Sequence, residues 1–296
     1  MVSALKNIVF IGYGYVAEHV GQLEKRDQRQ LYALSRDREK CEQLNQQGIT
    51  CHIGNLDDQF PHQALSLEKA GVYYFAPPPA SGQQDTRLRH FLDSISNYAV
   101  KRIVYISTTG VYGNIGHDII TNENSPTQPT TDRALRRLDA EQALLKWNQA
   151  YPEREVIILR VVGIYGPNKL PLERIKRGDP LLHPNHPAYV NLIHIDDLAQ
   201  ACYRAMHLGK TREVYNICDS HPMLMTHYFQ AIATAFNLPQ PPLITMQEAE
   251  KKLSAGFLSY LKESRRIDNA KMIHDLGIKL HHPNALDAIK KIVNES

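Results

Sequence analysis

With 296 residues, 43% of them hydrophobic and 22% charged, the chain has enough material for a large core without disulfides or metal, and its composition is not that of a disordered tail. The formal charge of +3 comes from scattered Lys and Arg, densest at Arg133, Arg136 and Arg137, and points to no nucleic acid. No apolar run approaches the roughly 20 residues that span a bilayer, and IVFIG near the start is too short for a secretory signal. Cys41, Cys51, Cys202 and Cys218 show neither C-x-x-C nor zinc-finger spacing, so reduced, mostly buried thiols in a cytoplasmic protein are expected.

Short β-branched runs alternate with amphipathic stretches over the first two-thirds of the chain. The strands are expected at residues 8–12, 31–35, 49–53, 72–76, 102–107 and 155–160, with helices near 15–25, 37–47, 84–97 and 132–149. This βα alternation predicts an α/β fold of the Rossmann type, a doubly wound parallel sheet covered on both faces. After Gly166 the prolines Pro167, Pro171, Pro180, Pro184 and Pro187 break the chain into loops, followed by a helix near 196–208 and a strand at 214–217. From about residue 220 the pattern is helical, interrupted by PQPP at 239–242. A Rossmann domain over 1–166 and 190–218 is expected, with a smaller, mostly helical substrate-binding region over 167–189 and 219–296.

FIGYGYVAEHV (residues 10–20) places Gly12, Gly14 and Ala17 in G-x-G-x-x-A spacing between a strand and a helix. Gly12 permits the tight turn, Gly14 lets a pyrophosphate approach the backbone, and Ala17 lets the helix pack on the strand. The helix N-terminus offers free N–H groups to the phosphates. The second strand ends in Ser35 and Arg36, where an NAD-selective site usually has an acid; Arg36 can clamp a 2′-phosphate, so NADP(H) is the expected cofactor. Asp37, one residue on, works against that preference, and a solvated Arg36 is the plain alternative.

Taken together and in register, several segments resemble the extended short-chain dehydrogenases/reductases, the branch holding nucleotide-sugar epimerases, dehydratases and reductases. They are the glycine motif, GNLDD (54–58), STTGVYG (107–113), LRVVGIYGP (159–167) and NLIHIDDLA (191–199). The resemblance implies cofactor contacts from Gly12, Gly14, Tyr15, Val16, Ala17, Ser35, Arg36, Asn55, Leu56, Ala76 and Arg137. It makes Thr108 the hydroxyl that polarises the substrate oxygen, with a strand-end cap as the alternative role.

The family's Tyr-x-x-x-Lys pair is absent. Its positions, eight and four residues before Glu141, hold Arg133 and Arg137. A tyrosine there exchanges a proton with the substrate during hydride transfer, which a guanidinium cannot do. Arg137 retains the ability to bind the cofactor ribose. Arg133 and Arg137 share a helix face and suit an anionic substrate, with Arg136 facing solvent; the alternative is pairing with Asp132, Asp139 or Glu141. Substitute proton donors are Tyr112, His117, Asp85 and, less suitably, Tyr165, whose Y-x-x-x-K with Lys169 spans Gly166 and Pro167. Lys169, Arg174, Lys176 and Arg177 fall where relatives contact a nucleotide diphosphate, with a solvated basic helix as the alternative, and Arg265 or Arg266 is placed to face the ligand.

His194, Asp196 and Asp197, like His183 and His186, invite a metal reading. The resemblance implies instead a structural segment, with Asp196 as the helix N-cap, and no metal is expected. The expected partners are a small-molecule substrate, anionic if the arginines bind it, and a second copy of the chain in a homodimer; nucleic acid and membranes are not expected. Two functions compete: an NADP(H)-dependent oxidoreductase or epimerase-like enzyme with altered proton handling, and a degenerate NADP(H)-binding sensor or partner-binding protein.

Overall fold

The computed structural model describes residues 5–116, 118–186, 188–254, 258 and 264–295. His117 and Pro187 lie outside the described residues. Seven parallel strands form the central sheet: β1 (Asn7–Ile11), β2 (Gln30–Ser35), β3 (Thr50–Ile53), β4 (Gly71–Tyr74), β5 (Arg102–Thr108), β6 (Glu155–Val161) and β7 (Val214–Ile217). Their order is β7-β6-β5-β4-β1-β2-β3. The middle strands read as unbroken apolar runs because both faces are covered: Val9 and Ile11 lie in one core cluster and Ile8 and Phe10 in the other.

One face carries α1 (Tyr15–Arg26), α2 (Arg38–Gln46) and α5 (Ile195–Leu208), whose Ala17, Val20, Leu44, Leu198 and Cys202 pack against Ile8, Tyr73 and Ile157. On the other, α3 (Thr86–Ser94) and α4 (Asp132–Ala150) bring Leu88, Phe91, Ala140, Leu144 and Trp147 onto Val72, Ile103 and Ile158. Helices on both faces of a parallel sheet make this the Rossmann-type α/β fold. A third cluster gathers Tyr165, Leu181, Leu182, α6 (Met225–Ala235) and α8 (Ala285–Glu295); α7 (Ala270–Leu276) instead joins the α1 face through Met272 and Leu276. This third cluster is mostly helical and stands beyond the C-terminal ends of β5 and β6, where it walls one side of a cleft. Among the described residues, no helix is long and apolar enough to cross a membrane.

Two expectations fail here. Cys41 and Cys51 are not free thiols but a disulfide, because the tight return from α2 into β3 brings their Cα atoms to 5.1 Å; Cys202 and Cys218 are free and buried. Asp196 is not the cap of α5. The cap lies two residues earlier, at His194, whose Nδ1 accepts from the Asp196 N–H at 3.2 Å, and Asp196 sits in the first turn, where the helix dipole favours an acid. The carboxylate of Asp197 ties the C-terminal segment down by accepting from the N–H groups of His281 (2.7 Å) and His282 (2.9 Å).

Candidate functional site

Strand order reverses at β1 and β4, and a cleft of about 590 Å³ opens there at the strand ends. Gly12 turns the chain at φ +89°, and a Cβ on it would stand 2.9 Å from the Ala76 backbone nitrogen, so nothing larger fits. A Cβ on Gly14 would meet nothing within 4 Å: it would enter the cleft itself, at the uncapped start of α1. A phosphate cradle needs this pairing of a tight turn and bare helix N–H groups. Leu34, Ser35, Arg36, Gly54, Asn55, Leu56 and Ala76 line the rest, and the residues present fit a dinucleotide.

Arg36 is exposed at the rim. Asp37 also lines the cleft, and its carboxylate caps α2 by accepting from the Lys40 N–H at 3.1 Å. Asn55 is spent on its own turn, accepting from the Asp57 N–H and donating to Asp58. Tyr15 and Val16 do not line the cleft: the Tyr15 hydroxyl donates to Pro167 O at 2.9 Å, and Val16 packs on the core. Tyr13 and Arg87 line it instead. Arg87 grips Asp57 through two bonds (2.6 and 2.5 Å) and donates to the Pro77 and Pro78 carbonyls. That bond, followed by burial acting the other way, sets Asp57 below the usual carboxylate range. Sequence reasoning missed Arg87 because it lies on α3, outside any motif.

A second cleft of about 540 Å³ meets the first at Pro77. It is lined by the end of β5 (Thr108, Thr109, Gly110), the start of α4 (Arg133, Arg136, Arg137), residues 161–163, residues 189–191, Met225 and Arg265. Thr108 caps the strand end, the alternative role expected of it, and also lines the cleft. Its oxygen accepts from the Gly110 N–H at 3.1 Å, which leaves its own proton to donate into the cleft.

Arg136 is the main correction. It does not face solvent; it is 7% exposed, donates to Gly82 O and lines the cleft between Arg133 and Arg137. The turn at 80–84 folds over α4 and buries it. Arg137 donates to the Tyr105 hydroxyl and Ile106 O, both at 3.1 Å. None of the three forms an ion pair with Asp132, Asp139 or Glu141. Asp139 is held by Arg89 (2.5 and 3.1 Å), Asp132 accepts from Gln83 (3.0 Å), and Glu141 is buried between Arg160 (2.7 and 3.1 Å) and the Ser107 hydroxyl (2.5 Å).

The substitute proton donors are placed elsewhere. Tyr112 is buried and donates to Asn216 at 2.7 Å; burial, countered by Arg160, raises its pKa. Asp85 caps α3 by accepting from the Leu88 N–H, and burial lifts its carboxyl above the usual range. The Tyr165 hydroxyl is buried without a partner, pushed up by desolvation, and does not line the cleft. Tyr189, which sequence reasoning passed over, does line it.

The basic residues at 169–177 are neutralised or stacked. Arg174 lies 3.8 Å from Asp179 and over Phe229, Lys176 pairs with Glu173 (2.8 Å), Arg177 with Asp179 (2.8 Å), and Lys169 sits over Tyr15. Arg265 reaches the cleft and donates to Gly113 O, whereas Arg266 turns to Asp118 O and the Tyr189 ring. His194, Asp196 and His282 bring three metal-type donors together, with Asp196 3.4 Å from each ring. The single Nδ1 lone pair of His194 is already spent on the helix cap, and the two rings overlap at 3.7 Å. Desolvation, then the neighbouring His282, lowers His194 to about 4. His183 and His186 are exposed, and among the described residues no group of three metal-type donors includes them.

Residues 12–218 match the sequence family described as the NAD dependent epimerase/dehydratase family. Protein YeeZ of Escherichia coli K12 is 26% identical over 245 residues, 80% of this chain and 78% of that protein. Human dTDP-D-glucose 4,6-dehydratase is 31% identical over 143 residues, 45% of this chain and 40% of its own length. Among solved structures, a functionally unknown conserved protein from Silicibacter pomeroyi superposes with a TM-score of 0.83 at 25% identity, covering 98% of this chain and 99% of that one. UDP-glucose 4-epimerase of Thermotoga maritima gives 0.79 at 19% identity, with 97% of each chain covered, and shares the fold.

Proposed function

The chain belongs to the NAD dependent epimerase/dehydratase family, and from that premise we propose that it binds a nicotinamide cofactor, NADP(H) in preference to NAD(H), and acts as an oxidoreductase or epimerase-like enzyme on a small carbonyl or alcohol compound. The observation that carries this reading is the junction of the two clefts at Pro77. A glycine cradle with Arg36 at its far rim adjoins, across Pro77, a chamber lined by Thr108. The cofactor supplies or accepts hydride when bound. The chain's own residues bind and orient: Gly12 and Gly14 admit the pyrophosphate, Arg36 holds the 2′-phosphate, Arg137 reaches the nicotinamide ribose, and Thr108 donates to the substrate oxygen.

Nucleotide sugars are the substrates named for several relatives, and they enter here as the first compounds to try. Arg133 cannot move a proton at any working pH. Tyr189 is the one phenol among the described residues lining the chamber, and is our candidate for the acid. The missing Tyr-x-x-x-Lys pair favours a second reading, a cofactor-binding sensor without turnover.

Calorimetry with NADPH and NADH tests the cofactor assignment. Arg36→Ala removes a charge-assisted bond of about 1.5–3 kcal/mol and should weaken NADPH by roughly 10- to 100-fold while leaving NADH unchanged; equal affinity of the unmutated protein for both cofactors refutes it. A screen of nucleotide sugars, aldehydes, ketones and oxo acids then separates the readings. NADPH oxidation that is lost in Tyr189→Phe supports the enzyme; tight NADPH binding with no oxidation of any compound supports the sensor.

A further inference from the structure

The charge of the second cleft is unanswered by the protein. Arg133 is exposed and has no hydrogen-bond or ion-pair partner among the described residues. Arg136 is almost wholly buried, and its Nε has no acceptor. Arg137 donates only to neutral oxygens. The acids within the same helix are committed to other cations or donors, as Asp139 is to Arg89 and Glu141 to Arg160. Asp85 is within electrostatic reach of Arg137, but it caps α3, its second oxygen has no partner, and burial favours its neutral form. A guanidinium cannot shed its charge to relieve burial, so Arg136 beside Arg133 and Arg137 calls for an anion from outside.

The second observation concerns where such a charge is missing. The basic residues at 169–177, placed by sequence to meet a nucleotide diphosphate, are paired with Glu173 and Asp179 or stacked on Phe229 and Tyr15, and none lines the cleft. The uncompensated charge stands instead at the reacting end, on the turn of α4 that shares the chamber with Thr108.

We propose that this chamber recognises an oxyanion on the substrate itself, a carboxylate or phosphate within a few bonds of the carbonyl or alcohol carbon, in place of a distant nucleotide diphosphate. The inference rests on reading the chamber as the place of reaction. Arg133 and Arg137, one helical turn apart, present forked donors that match the two oxygens of such a group, and Arg136 adds charge from beneath. The anion also fixes the orientation of the neighbouring carbon toward Thr108, the task a sugar's nucleotide handle performs from further away.

The test titrates the NADP-loaded protein at physiological salt with oxalate, inorganic phosphate, UDP and the neutral amide oxamide, and repeats the titration without cofactor. Oxalate or phosphate should bind and oxamide should not; the tighter of the two identifies carboxylate or phosphate as the recognised group. Arg133→Gln, at an exposed site that folding does not need, and Arg137→Gln should each weaken that anion by about 10-fold or more. NADPH affinity should stay unchanged in Arg133→Gln. Binding of UDP with neither small anion detected would overturn the inference, as would undiminished anion binding in both variants. Failure of NADPH to bind while oxalate still does would overturn the reaction-chamber reading and leave the anion site standing.

Discussion

Asp219, just past β7, should make the protein less stable as pH rises, and Asp219→Asn should abolish that dependence. The side chain is 1% exposed; one oxygen accepts from the His221 N–H at 3.0 Å and the other has no partner. Desolvation, opposed by the His221 bond and reinforced by Asp197, raises its pKa from 3.8 to about 7. Below the unfolded value both states carry the proton and ionisation costs nothing. As pH climbs to about 7 the unfolded chain releases the proton while the native state keeps it, so stability falls by roughly 1.4 kcal/mol per pH unit. Over about three units the loss is on the order of 4 kcal/mol, constant above pH 7. His194 works in the opposite direction: with a folded value of about 4 against 6.5, it costs stability as pH falls through that window. It does so equally in both proteins and cancels in their difference. The Asn amide introduces a buried donor, whose effect is a pH-independent offset. Urea unfolding of both proteins from pH 4 to 8 reads the slope of the difference. Parallel curves across that range would refute the reasoning.

Glu141→Gln should destabilise the protein by about 3–5 kcal/mol, because it leaves Arg160 buried at 6% exposure without a counter-charge; adding Arg160→Met should recover part of the loss, as urea midpoints would show. Reducing the Cys41–Cys51 disulfide, which joins residues ten apart, should lower stability by about 3 kcal/mol through the freed loop entropy; a Tm that is insensitive to reductant would show the pair is not formed in solution.

The periodicity of the sequence determined the sheet and its covering helices. Unbroken β-branched runs suit strands buried on both faces, and the period from Ala134 to Trp147 marked α4 to within one residue of its end. The glycine cradle was equally legible, because Gly12 and Gly14 answer to local backbone geometry that spacing encodes. What the tertiary structure alone decided is the partnership of charges. Arg136 lies in the second turn of α4 and reads as solvated; only the turn at 80–84, brought over it by α3, buries it. Asp139 and Glu141 stood in sequence as partners for the α4 arginines, but Arg89 and Arg160, 50 and 19 residues away, claim them. In the basic cluster at 169–177 the pairs with Glu173 and Asp179 are local, but the rings of Phe229 beside Arg174 and Tyr15 beside Lys169 come from far along the chain. Backbone pattern is local and survives in a one-dimensional reading; a counter-ion is chosen by distance in space, so the charge of the chamber became visible only when the chain had closed around it.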